Sequence, residues 1–189
     1  MDRLIGDYGV NDPAVLEAMV VEYRAIVYRL ALSILRDPAD AQDATQDTFI
    51  QAAAGLHCYQ VGTNFKAWLL RIAINNCRMI WRKRARRRAL QQAWGSIIKM
   101  GVNQPGAEAQ VVQDETRDDL WTLVDSLNEK HRLVVVLRLA HDMSVSEISQ
   151  VLGVNEKTVY TRLYDAFARL RALIKTRPEL AYLRDEVQP

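Results

Sequence analysis

Between residues 13 and 35 the apolar side chains Val15, Met19, Tyr23, Ile26, Val27, Leu30 and Ile34 recur at steps of three and four. That is the period of a helix with one buried face. Nowhere along the chain do polar and apolar residues alternate long enough to build an exposed sheet. Glycine and proline are scarce, while alanine, leucine and arginine abound, so local propensity points the same way. The expected fold class is all-α.

Helix punctuation divides the chain. Asp37-Pro38 opens a second helix, with Asp as N-cap and Pro at the first helical position. That helix runs to about Ala54, where Gly55 stops it. After the loop GLHCYQVGT, Asn64 caps a third helix from Phe65 to about Gln92, with Trp68, Leu69, Ile72, Ala73, Asn76 and Ile80 along one stripe. Residues 101–113, GVNQPGAEAQVVQ, have no period and read as linker. Helices resume near Asp114. Ser126-x-x-Glu129 has the form of a capping box opening a helix to about His141, and Ser144-x-x-Glu147 opens a short one to Leu152. Gly153 ends that helix, Asn155 caps another reaching Lys175, and Pro178 closes it. The chain therefore reads as an N-terminal extension (1–12), a first helical domain (13–95), a flexible linker (96–115), a second domain (116–177) and a tail (178–189).

Net charge near zero conceals a segregated pattern. Residues 1–65 hold four basic and nine acidic side chains, and residues 66–100 hold ten basic and no acidic ones. Residues 101–130 return to two against seven, and the remainder is nearly balanced. Ten bases without an acid repel one another and make sense against a polyanion, nucleic acid being the commonest. No apolar run approaches the roughly 20 residues of a membrane span, and the first residues lack the pattern of a signal peptide. The expected compartment is the cytoplasm, nucleoid-associated in the working state, with no direct membrane binding. Cys58 and Cys77 form no C-x-x-C pair, and neighbouring His57 does not complete a zinc site. No metal and no other cofactor is expected.

Two segments carry recognition chemistry. In the second domain, MSVSEISQVLGVNEKTVYTRLYDAFARLR is a capped helix, a glycine turn and a second helix, the helix-turn-helix pattern. Ile148, Leu152, Val159 and Leu163 are expected inward, with Val154 plugging the turn. That leaves Glu156, Lys157, Tyr160, Thr161, Tyr164 and Asp165 to meet a major groove, and Arg162, Arg169 and Arg171 to reach phosphates. In the first domain, Arg78, Arg82, Lys83, Arg84, Arg86, Arg87 and Arg88 follow Phe65, Trp68 and Trp81, with Tyr59 in the preceding loop. Bases mixed with aromatics hold single strands by stacking plus a charged groove. Trp68 lies on the apolar stripe and is expected in the core. Phe65 and loop 56–63 are better placed to touch an unstacked base.

With these segments in order, the chain resembles the sigma factors of bacterial RNA polymerase, in particular the small two-domain extracytoplasmic-function type. DAQDATQDTFIQAA matches that family's acidic helix at Asp40, Asp43, Gln46 and Phe49. FKAWLLRIAINNCR matches its next segment at Phe65, Trp68, Leu69, Ile72, Ala73 and Asn75, and SLNEKHRLVVVLRL with the helix-turn-helix matches its second domain. The resemblance implies that Asp40, Asp43, Gln46, Asp47 and Ile50 dock on the clamp coiled coil of the largest subunit of core RNA polymerase, with the flap of the second-largest as a further contact. It implies that Tyr59, Asn64, Phe65, Lys66, Arg71, Asn75, Arg78, Arg82 and Lys83 read the minus-ten element, capturing a flipped non-template base in the loop. It assigns the minus-thirty-five duplex to Asn155, Lys157, Thr158, Tyr160, Thr161, Arg162, Tyr164, Asp165 and Arg169. An anti-sigma factor is a further implied partner, and a linker acidic run of Glu108, Asp114 and Glu115 could mimic nucleic acid. Four positions depart from the family pattern: Met79 for an acid, Lys157 for a glycine, and Asp165 and Phe167 for arginines.

Two other classes fit less of the chain. A conventional dimeric helix-turn-helix regulator leaves the acidic and basic-aromatic helices unexplained, and core-polymerase binding separates it from a sigma factor. A nucleic-acid enzyme requires clustered acids or a nucleophile and base. The aspartates of 37–54 spread over more than one face, and His57, His131 and His141 have no convincing partners. No catalytic residue is expected.

Overall fold

The structure is a computed structural model that describes residues 1–10, 12–97 and 115–184. The described residues are helical, with no strand among them. In chain order the helices are α1 (Asp2–Tyr8), α2 (Pro13–Leu35), α3 (Pro38–Gly55), α4 (Phe65–Ile97), α5 (Glu115–Asp125), α6 (Glu129–Leu139), α7 (Val145–Leu152) and α8 (Glu156–Lys175). Short 3-10 turns follow α3 (Leu56–Cys58) and α8 (Pro178–Arg184). The expected linker and its acidic run fall almost wholly outside the described residues. By contacts the chain forms two units, Met1–Ala85 with Val136–Glu156, and Arg86–Val135 with Lys157–Pro189.

In the first unit the helix starts are set by their caps. Asp12 accepts from the Ala14 amide at 2.8 Å, and Asp37 accepts from Asp40 at 2.9 Å. Proline at 38 holds Asp37 extended, at φ −143°. The reversal between α2 and α3 therefore falls on Arg36, which adopts the left-handed conformation at φ 52°. The inner face of α3 is built from small side chains, Ala41, Ala44, Thr45, Thr48 and Ala52, so the α2 backbone can come close. Against it lie Val15, Met19, Val27, Leu30 and Ile34, and α4 adds Leu69, Leu70, Ala73, Ile74 and Cys77. Burial pushes the Cys77 thiol up to about 12, so it stays protonated. Asn76 also lies on the inner face, 1% exposed. Its amide nitrogen donates to Thr48 Oγ1 at 3.2 Å, and its oxygen accepts from Gln51 at 2.8 Å.

Several boundaries differ from the sequence reading. α3 includes Gly55, whose φ of −95° is not the left-handed value of a glycine stop, and the chain continues into the 3-10 turn. α4 extends to Ile97 rather than Gln92. Ser126 does not cap α6. Its hydroxyl donates back to the Leu123 carbonyl at 2.6 Å, finishing α5, and Asn128 is the cap, accepting from the His131 amide at 3.1 Å. The Ser144 box does form, with Ser144 N donating to Glu147 at 2.8 Å and Glu147 N to Ser144 Oγ at 3.2 Å. Gly153 follows at φ 65°, the left-handed turn anticipated there. Val151 is buried and Leu152 only half-buried, the reverse of the expected inward choice. Two segments given no structure from sequence are ordered: α1, through buried Ile5, and Pro178–Arg184, through buried Leu180 and Leu183 and the Tyr182 hydroxyl donating to Asp119.

In the second unit α5 contributes Leu120, Leu123 and Val124, and α8 contributes Val159, Leu163, Ala166, Phe167, Leu170 and Ile174. Phe167 is a core residue here, at 3% exposure, which accounts for an aromatic where the family pattern has an arginine. His131 on α6 is 8% exposed, and its Nδ1 has no hydrogen-bond partner. Burial, with Arg169, Arg162 and Lys130 outweighing Asp165, holds its pKa below the ordinary 6.5. The unfolded chain therefore takes up this proton first, and stability falls as pH drops below about 6.5. Thermal unfolding followed from about pH 7 to about pH 5 should show a falling midpoint, with a shallower fall in His131→Leu than in the parent chain. Ser144→Ala should lower stability by about 1 kcal/mol in denaturant titration, through loss of the box.

Candidate nucleic-acid interface and docking groove

The loop between α3 and α4 is held by aromatic packing. Phe65 meets Tyr23, Tyr59 and Trp68 at ring-centroid distances of 5.4, 5.1 and 5.4 Å, and Tyr59 meets Trp68 at 5.3 Å. Asn64 caps α4, accepting from Ala67 N at 3.0 Å. This packing buries Tyr59 and Phe65 to 7% and 5% exposure, so neither ring lies open as a stacking platform, while Trp68 is half-buried. Burial, and then the bond to Asp2, raise the pKa of the Tyr59 hydroxyl against an opposing contribution from Thr63. What the loop does present is Gln60, Val61, Gly62 and Thr63, all exposed. Gly62 sits at φ 90°, a conformation that a side chain would strain.

Along α4, Lys66, Arg71, Asn75, Arg82 and Lys83 are exposed and Arg78 is half-buried, giving an outward basic face beside the loop. Arg71 of this face and the cap residue Asn64 are engaged within the first unit: Asn64 Nδ2 donates to Gln150 Oε1 at 2.8 Å, and Arg71 donates to the Gln150 carbonyl. Arg84 turns back instead. It pairs with Asp37 at 3.1 Å and with Asp40, and donates to the Leu35 carbonyl at 3.2 Å. One base of the basic run is thus committed to holding the start of α3.

That pairing separates Asp40 from the other acids of α3. Asp43, Gln46, Asp47 and Ile50 point outward, and Ile50 is 58% exposed. Beside them an open groove of about 980 Å³ runs between α3 and α2, lined by Val20, Val21, Arg24, Gln46, Phe49 and Ile50 among others. Val21 is 78% exposed. The sequence reading did not include Val20, Val21 or Arg24. Their signal was available, because the two valines fall outside the three-and-four spacing of the buried stripe and so had to face away from the core.

On α8 the exposed side chains are Glu156, Lys157, Tyr160, Thr161, Tyr164, Asp165 and Arg169, with Thr158 and Arg162 half-buried; Asn155, just before it, is exposed. Tyr160 and Tyr164, one turn apart, are 61% and 65% exposed, far more than a core role would leave them.

The model of Sigma-70 region 2 matches residues 19–87, and that of Sigma-70 region 4 matches residues 117–170. The chain belongs to the sigma-70 family. It is 30% identical to the extracytoplasmic-function sigma factor SigL of Mycobacterium tuberculosis, over 92% of this chain and 94% of that protein. It is 32% identical to the sigma factor CnrH of Cupriavidus metallidurans over 82% and 84%. Among solved structures it has the fold of CnrH in complex with the cytosolic domain of CnrY (TM-score 0.65, 23% identity, 93% of this chain and 97% of that one). It also has the fold of the sigma factor RpoE in complex with the anti-sigma factor NepR from Bartonella quintana (TM-score 0.60, 22% identity, 85% and 97%). It is an extracytoplasmic-function sigma factor and acts in promoter-directed initiation of transcription. No described helix is long and apolar enough to cross a membrane.

The packing separates a structural from a contact role for Phe65. Phe65→Ala should cost about 3–5 kcal/mol in denaturant unfolding of the free chain. A side chain serving only to touch DNA would leave that value unchanged.

Proposed function

We propose that this sigma factor binds core RNA polymerase through α3 and its groove, and promoter DNA through α4 and α8, in the cytoplasm and without catalysis of its own. The observation that carries the reading is the division of charge between two adjacent helices. Asp43, Gln46 and Asp47 face outward from α3 beside an apolar groove, while Lys66, Asn75, Arg82 and Lys83 face outward from α4. An acidic rim around apolar side chains suits a basic, apolar protein surface such as the clamp coiled coil. It repels phosphate, so the two faces take different partners. Asp40 contributes less directly, by fixing the α3 start through Arg84.

The minus-ten strand lies along loop 56–63 and the start of α4, with its phosphates on Lys66, Arg71, Arg78, Arg82 and Lys83. Asn64 and Arg71 exchange Gln150 for the strand. Tyr59 and Phe65 shape the loop from beneath. Extruding one base costs a few kcal/mol, which loop contacts and phosphate neutralisation offset. The minus-thirty-five duplex takes α8 in its major groove, where Tyr160 and Tyr164 pack on base edges or thymine methyls, Asp165 accepts from a cytosine amine, and Arg162 and Arg169 hold phosphates. Lys157, Thr158, Thr161 and Asn155 complete that face. An anti-sigma factor is the second class of partner in this reading, which the solved complex of the similarly folded RpoE with the anti-sigma factor NepR supports.

Asp43→Arg with Asp47→Arg should abolish co-elution with core polymerase while the circular dichroism and melting midpoint stay at the parent values. Normal co-elution of that folded variant would remove α3 from the docking surface. Arg82→Ala with Lys83→Ala should weaken open-complex formation and reduce the slope of log K against log salt by about 1–2. An unchanged slope would mean that these bases touch no phosphate.

A further inference from the structure

α1 lies over loop 56–63, the proposed place of the extruded base. The Asp2 carboxylate accepts from the Gly62 backbone N–H at 3.0 Å through Oδ2, and its Oδ1 lies 2.8 Å from the Tyr59 hydroxyl. The same hydroxyl lies 2.7 Å from the Thr63 carbonyl. A hydroxyl has one proton, so Tyr59 donates to Asp2 or to Thr63 at any moment, not to both. The loop is braced without α1: Thr63 Oγ1 donates to the Gln60 carbonyl at 2.7 Å, and Thr63 N to the same oxygen at 3.2 Å. Withdrawing Asp2 thus leaves Tyr59 with an acceptor and the loop with its shape. It frees the Gly62 N–H, and the Tyr59 O–H can turn from Thr63 to a new acceptor at the same point.

α1 is built to leave. It has seven residues, too few for a stable isolated helix, and among its side chains Ile5 alone is buried.

We propose that Gly62 N–H and Tyr59 O–H form a donor pair that reads the extruded minus-ten base, and that Asp2 occupies this pair as a built-in plug when no strand is bound. The inference rests on the reading of loop 56–63 as the capture loop. The plug also specifies its competitor. A carboxylate presents two acceptors flanking one carbon. Cytosine offers the same arrangement in O2 and N3, and adenine in N1 and N3. Thymine and guanine place an N–H beside each candidate carbonyl acceptor on their pairing edges, where it would oppose a donor of the pair. The site therefore takes a base with two adjacent acceptors.

The test compares holoenzymes assembled from core polymerase and either the parent chain, Asp2→Ala, or a chain lacking residues 2–9. Binding to dodecamers of dC, dA and dT is followed by fluorescence anisotropy. Loss of the plug should tighten binding to oligo-dC, oligo-dA or both about five-fold beyond any gain for oligo-dT, which controls for the lost negative charge. Tyr59→Phe in the Asp2→Ala background should remove part of that excess. Equal gains on all three oligomers, no gain, or weaker binding would overturn the plug. If Lys66→Ala with Arg71→Ala also leaves every affinity unchanged, the loop is not the strand site and the underlying reading fails with it. If those two substitutions weaken binding but Asp2→Ala is without effect, the plug fails alone.

Discussion

Four rings, Tyr23, Tyr59, Phe65 and Trp68, hold together the part of the molecule proposed to meet the promoter strand. They come from α2, the loop and α4, and each lies within 5.4 Å of a neighbour. Tilted and edge-on aromatic pairs add about 0.5–1.5 kcal/mol each beyond the area they bury. Here they act together with the loop's own hydrogen bonds, Thr63 to Gln60 and Tyr59 to Thr63, in positioning it. With Phe65 fixed in the cluster, Asn64 is placed to cap α4, and residues 60–63 are lifted into solvent. The loop can then be rigid at its base and open at its tip, which suits a site that must admit a base without collapsing.

The two charged helices follow from a second constraint, the close packing of small side chains. α3 turns Ala41, Ala44, Thr48 and Ala52 inward, so its long polar residues have nowhere to go but out. α4 turns Asn76 inward, and that amide is satisfied by Gln51 and Thr48 rather than by water. A buried amide with partners on α3 sets the register of the two helices, because sliding either one would strand its hydrogen bonds. The acidic and basic faces diverge as a consequence. Arg84 is the exception: its bonds to Asp37, Asp40 and Leu35 draw one base across to the acidic helix and pin the α2–α3 corner.

Much of this was legible in the spacing of residues. Asp37, Asn64 and Ser144 cap the helices they were expected to cap, since an N-cap acts on amides two or three residues away and needs no tertiary context. The misreadings have a common origin in choices between neighbours. Ser126 and Asn128 are both competent caps, and α5 used the serine to finish itself. Val151 and Leu152 are both apolar, and one residue of helical phase decided between them. Phe65 looked available for stacking because its contacts, Tyr23 and Tyr59, are distant in sequence or belong to the loop. α1 and residues 178–184 were missed because each is short and anchored by only one or two apolar side chains.

By itself, the sequence determined the helical class, the order of its two sigma regions and the sign of charge on each helix. Periodicity, capping and composition are local properties that survive without coordinates. Only the tertiary structure decided which charges are free and which are spent. It put Asp40 on Arg84, opened the groove between Val21 and Ile50, buried Tyr59 and Phe65 beneath the loop, and set Asp2 on Gly62. Those outcomes depend on side chains from separate helices meeting in space, and a one-dimensional pattern carries no distance between them.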